Sequence, residues 1–264
     1  MSYKDFIKNQ APDIRHLFDI KEVILDQEWL SKQNNMELYY MYRGVGLTEE
    51  DKKKIADACL RYDITVIPPL MLGKEYNKTA GHYHCEAATG ISYPEIYEVL
   101  EGEACYLMQS AIKNNSVEDV YFVYAAAGDK VIIPPNYGHF TINASNKDLV
   151  MANWVCLDCV SDYSKVKEKR GACYYAIKNS PNSPVSGMGQ ALLQGGKSQE
   201  GEINWLENKN YQNIPKLRKL SPTNFSELGL EKNKEMYELV DDLEKLKFLI
   251  QPENYEKLWE RILG

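Results

Sequence analysis

The chain lacks most features that mark a nucleotide-, nucleic-acid- or membrane-handling protein. It has no P-loop, no dinucleotide-binding glycine pattern and no internal repeat. It has no arginine-rich stripe, and its formal charge of −7 argues against nucleic acid or an anionic membrane as a partner. No apolar run approaches the roughly 20 residues of a membrane span. Residues Met1 to Asp5 also lack the apolar core of a signal peptide, so the expected location is cytoplasmic. Histidine is scarce, with four in 264 residues, so where those four fall matters.

What is present is a globular composition, 44% hydrophobic and 26% charged, on a chain long enough to bury a sizeable core. The six cysteines, without a secretion signal, read as reduced thiols. Cys156 and Cys159 have CxxC spacing but no second pair or nearby histidine pair, and they follow an apolar strand. They read as packed thiols.

Residues 1–61 read as a strand and helix segment: a strand over 37–43, then a helix after Thr48 with an acidic first turn. Residues 62–178 read as strand after strand, at 62–70, 95–101, 103–110, 119–125, 129–134, 139–144, 148–156 and 172–178. Long helices between them are missing, which points to an all-β sandwich or barrel. Residues 179–200, rich in Asn, Ser, Pro, Gly and Gln, read as a mobile loop opening a C-terminal extension over 179–264. Apolar residues from Met236 to Leu249 predict a helix over 231–250, and Pro252 predicts the start of a shorter one.

Three of the four histidines fall in two stretches. His82 and His84 project to one face of a strand, because alternate side chains of a strand share a face. Glu95 begins a Glu-x6-Gly spacing that closes at Gly102. The second stretch fits Gly-x5-Pro-x4-His-x3-Asn at Gly128, Pro134, His139 and Asn143. Glu95 and His139 are expected to come from neighbouring strands onto that same inner face. Glu86 is a competing carboxylate without the following glycine. Imidazole and carboxylate converging in this number suit a divalent transition metal. Pro134 and Asn143 read as structural, and His16 as a surface residue.

These two stretches resemble the signature motifs of the cupins, double-stranded β-helix (jelly-roll) barrels. The resemblance implies that barrel here, with helical additions at both ends. It narrows on Lys78-Thr79-Ala80-Gly81-His82-Tyr83-His84, Tyr93-Pro94-Glu95-Ile96-Tyr97 and Ile133-Pro134-Pro135-Asn136-Tyr137-Gly138-His139. Those residues are similar to the cupin-type phosphoglucose isomerases of archaea and some bacteria, over roughly residues 38–178. The gap of ten residues between His84 and Glu95 is longer than in most cupins and places a loop at the barrel mouth.

The resemblance implies interconversion of glucose 6-phosphate and fructose 6-phosphate by a homodimer with one divalent metal per subunit: iron, or else manganese, zinc or nickel. It implies His82, His84, Glu95 and His139 as metal ligands and Glu95 also as the base. It implies substrate contacts at Thr65, Thr79, Gly81, Tyr97 and Tyr163, with Tyr40 or Tyr42 as a further phosphate contact; Lys74 or Lys78 is expected nearby as a further donor. Val155 and Ser161 depart from the tyrosine and histidine that archaeal members carry. Two routes stay open, a proton moved by a carboxylate through an enediol and a direct hydride shift. The rivals are another cupin metalloenzyme, such as a dioxygenase or a different sugar isomerase, and a non-catalytic sugar-binding cupin.

Overall fold

The computed structural model describes residues 2–178 and 203–264; the expected loop at 179–200 lies outside them. Among the described residues, two large sheets face each other. The first runs, in spatial order, Asp13–His16, Glu37–Tyr42, Leu60–Ile67, Leu149–Cys156, Glu95–Glu101 and Lys130–Ile133. The second runs Ile203–Glu207, Tyr174–Lys178, Glu75–Lys78, Tyr137–Asn143, Glu103–Ser110, Val120–Ala126 and Arg218–Leu220. Pairing is antiparallel except where Arg218–Leu220 joins the second sheet in parallel. From Leu60–Ile67 to Tyr174–Lys178 the chain crosses between the two sheets at each step except the hairpin that joins Glu103–Ser110 to Val120–Ala126, which is the winding of a jelly-roll barrel.

Alternation sorts the side chains of the first sheet. Ile67, Tyr97, Val99, Leu149 and Met151 point between the sheets into the main core. Tyr62, Ile64, Ile96, Val150 and Trp154 point outward into a second core. Strands buried on both faces read as near-continuous apolar runs, and Leu149–Cys156 is buried at every position.

The second core is roofed by the C-terminal segment. Leu230, Met236, Leu246, Phe248 and Leu249 are fully buried against that outer face, and Trp154 Nε1 donates to the Met236 carbonyl at 3.2 Å. The expected helix over 231–250 is instead two 3₁₀ segments, Met236–Asp241 and Leu243–Leu249. The reason lies in the spacing. Met236 and Leu239, then Leu243, Leu246 and Leu249, recur every three residues, the period of a 3₁₀ helix. The short helix after Pro252 begins at Glu256 and runs to Leu263.

The N-terminal helix forms as expected over Glu49–Asp57, its first turn capped by Thr48 Oγ1, which accepts from the Asp51 N–H at 3.0 Å. The strands Asp13–His16, Ile203–Glu207 and Arg218–Leu220 were not expected from the sequence; each extends a sheet at its edge.

Candidate metal centre

His82, His84 and His139 reach the cavity between the sheets from one side. His82 and His139 lie opposite each other in an antiparallel bridge, with N···O distances of 3.3 and 3.1 Å. His84 is two residues along, while Tyr83 between them points away, its hydroxyl donating to the Ser110 carbonyl. Glu95 arrives from the opposite sheet. Its strand pairs with Leu149–Cys156 and Lys130–Ile133, so it is not the neighbour of the His139 strand. The expected neighbouring pair is therefore a pair facing across the barrel, because the jelly-roll winding sends the two strands to different sheets.

One ligand atom from each of these four residues lies within 4.8 Å of the others. His82 Nε2 is 3.2 Å from His84 Nε2, and Glu95 Oε2 is 3.4 Å from His84 Nε2 and 3.3 Å from His139 Nε2. Glu95 Oε2 is buried with no hydrogen-bond partner, a costly state for a carboxylate oxygen unless a cation completes it. Two further bonds fix the group's orientation. His84 Nδ1 sits 2.8 Å from the Tyr93 carbonyl and is the donor, which turns the lone pair of Nε2 inward. Asn153 Nδ2 donates to Glu95 Oε1 at 2.7 Å. Three imidazoles and a carboxylate suit a divalent transition metal, with open positions left for oxygen ligands.

The electrostatics fit the same use. Burial pushes the His82 pKa well below its ordinary value, and the neighbouring His139 and His84 add to the push. Burial likewise lowers His139, against the pull of Glu95. Burial works to raise the Glu95 carboxyl, but the neighbouring His139 and His84 imidazoles hold it well below the usual range. His84 goes the other way: burial is outweighed by the Cys159 thiol and the Glu95 carboxylate, which hold it well above.

Thr65, Thr79, Gly81, Tyr97 and Tyr163 line the same cavity, as do Val155 and Ser161. Thr79 Oγ1 accepts from the Thr141 N–H at 3.0 Å, leaving its own proton to donate. Gly81 has φ +73°, and a Cβ there would lie 2.0 Å from the Phe140 ring, so no larger residue fits. The Tyr97 hydroxyl is 3.2 Å from His139 Nε2, and the Tyr163 ring centre is 5.3 Å from that of His82.

Four expected contacts do not reach the cavity. Tyr39, Met41 and Arg43 line it, so Tyr40 and Tyr42 fall on the other face of their strand; Tyr40 bonds Glu37, and Tyr42 packs on the second core. Lys78 is buried in an ion pair with Glu75 and donates to the Val23 carbonyl at 3.0 Å. Lys74 is likewise not among the lining residues.

The sequence reading missed Arg43, Arg61, Asp63, Asn153 and Cys159, all of which line the cavity. A polar residue inside an apolar strand was the available signal for Asp63 and Asn153. Asn143, read as structural, donates to the Ile67 and Lys147 carbonyls at 2.7 and 2.8 Å.

Residues 14–186 match the family model described as glucose-6-phosphate isomerase (GPI). The chain is similar to the glucose-6-phosphate isomerase of Thermococcus litoralis, 28% identical over 163 residues that cover 62% of this chain and 79% of the relative. That of Pyrococcus furiosus is 24% identical over 163 residues, with the same coverage. Among solved structures, hazelnut vicilin (Corylus avellana) aligns at a TM-score of 0.35 and 16% identity, over 49% of this chain and 33% of that one. That value is too low to argue from.

Proposed function

Because the chain belongs to the glucose-6-phosphate isomerase family, we propose that its cavity interconverts glucose 6-phosphate and fructose 6-phosphate by metal-dependent aldose–ketose isomerisation. The observation that carries this reading is the convergence of four ligand atoms in a cavity that also presents the two threonines and Gly81.

His82, His84, Glu95 and His139 would hold one divalent metal, and iron is our choice for it. When bound, the cation supplies stabilisation of negative charge developing on the substrate's C1 and C2 oxygens. Glu95 is held ionised by its histidine neighbours and can accept the C2 proton and return it to C1, while the hydroxyl proton of O2 passes to O1. Its lowered pKa makes it a weak base, so much of the driving force must come from acidifying that C–H bond.

Tyr97 and Tyr163 wall the sugar chain and exclude water from the reacting carbons. The hydroxyls of Thr65 and Thr79 and the N–H of Gly81, which line the cavity, would donate to phosphate oxygens. The resemblance to phosphoglucose isomerases supports a homodimer. A glycolytic role supports a cytoplasmic location, and no described helix is long and apolar enough to cross a membrane.

The test is a coupled assay of fructose 6-phosphate conversion on metal-loaded protein, repeated after chelation. Activity that disappears on chelation and returns with iron or manganese supports the reading. A folded, metal-loaded protein inactive with every divalent metal would overturn it.

A further inference from the structure

The cavity wall carries two guanidinium groups that the four-ligand cluster does not use. Arg43 and Arg61 line it with Asp63, as do Thr65 and Thr79. Strand alternation places residues 61, 63 and 65 on the inner face of Leu60–Ile67.

Asp63 is buried and acts as the anchor. Its carboxylate accepts from Arg61 Nε at 3.0 and 2.9 Å and from the Gly44 N–H at 2.8 Å. Arg43 Nη1 lies 3.6 Å from the same carboxylate, and Arg43 Nε lies 3.3 Å from Asp13. The hydrogen bonds of Arg61 to described residues are made through Nε. Among the described residues its terminal amino groups are left to donate, and 24% of the side chain is accessible.

Register sets the distance to the chemistry. Arg61 pairs with Val155, and Val155 pairs with Glu95. The arginine and the carboxylate thus share one cross-strand row, two strand spacings or about 10 Å apart. The side chain between them is a valine, too short to block the way. That span is comparable with an extended six-carbon chain ending in a phosphate.

Charge points to the same ligand. With the histidines neutral as metal ligands, the two arginines offset Glu95 and Asp63, so the side chains of the loaded site carry no net charge. A divalent cation brings two positive charges, which match the roughly −1.5 to −2 of a phosphate monoester. Remove one arginine and the match is lost.

We propose that Arg61, oriented by Asp63 and backed by Arg43, contacts the substrate phosphate and makes the cavity select a phosphorylated sugar over the free sugar. The identity of the sugar rests on the isomerase reading; the anion contact does not.

The experiment uses metal-loaded full-length protein and Arg61→Ala, with Arg61→Gln as a second variant should alanine fail to fold. Two quantities are read: KM and kcat for fructose 6-phosphate, and the affinity for inorganic phosphate by calorimetry. The expected result is a KM raised and a phosphate affinity weakened, each by about 10- to 100-fold, with kcat changed far less. Arg61→Lys should fall between, since it keeps the charge and loses the fork. Unchanged phosphate affinity in a folded variant would overturn the proposal, whatever happens to kcat. If the wild type shows no isomerase activity, the isomerase reading falls and calorimetry alone decides. Phosphate bound by the wild type and lost in Arg61→Ala sustains the contact; equal binding, or none, removes it.

Discussion

Asn153 donates from Nδ2 to Oε1 of Glu95 at 2.7 Å, and both side chains are buried. One carboxylate oxygen is thereby fixed by the protein while the other, Oε2, stands 3.3 and 3.4 Å from two imidazole nitrogens. The pair explains how a carboxylate on one sheet is held in register with three histidines on the other side of the barrel.

Asn153→Ala should therefore weaken metal binding by about 10- to 100-fold, the usual effect of losing an outer partner of a ligand. Competition with a chromophoric chelator measures it. An unchanged affinity would mean that packing alone orients Glu95.

Metal affinity should fall as pH falls. The raised pKa of His84 means that its protonated fraction grows as pH drops, and only the neutral imidazole can bind a metal. Titrations across about pH 5 to 8 should show protons released on binding. An affinity independent of pH over that range would contradict the assignment of His84 as a ligand.

Lys78 and Glu75 form a buried ion pair, with the second Glu75 oxygen accepting from the Leu25 N–H at 2.7 Å. Burial already raises the Glu75 pKa despite its partner. Lys78→Met would strand that carboxylate, so the expected loss is about 3–5 kcal/mol in denaturant unfolding. A loss below about 1 kcal/mol, the range of an exposed pair, would show that Glu75 finds another partner.

The C-terminal turns act as a roof over the outer face of the first sheet. Phe248→Ala should cost about 3–5 kcal/mol of stability. Metal affinity should not change, because Phe248 sits in the core on the far side of that sheet. A drop in metal affinity at full folding would mean that the roof is coupled to the cavity.

Much of the centre was legible because strand periodicity and ligand chemistry agree. His82 and His84 needed only the two-residue repeat, and the glycine, proline and asparagine around His139 marked its strand. Other features hid for physical reasons. A one-residue slip in parity separates Tyr39, Met41 and Arg43 from Tyr40 and Tyr42, and a strand flanked by apolar residues on both sides does not announce which face meets the cavity. Arg61, Asp63 and Asn153 lie inside strands packed on both faces, where a polar residue stands out but does not tell which face meets the cavity. Which sheet Glu95 joins depends on long-range winding, which no local pattern encodes. The three-residue spacing of the 3₁₀ roof differs little from 3.6 over a few turns, so the apolar pattern alone also fits an α-helix.

The most direct measurement is a titration of metal-free protein with iron or manganese, following bound metal and fructose 6-phosphate conversion on the same samples. The account predicts that activity rises in proportion to bound metal and saturates at one ion per chain, and that Glu95→Gln abolishes it. Conversion by the metal-free protein, or a fully loaded protein that converts nothing, would contradict it.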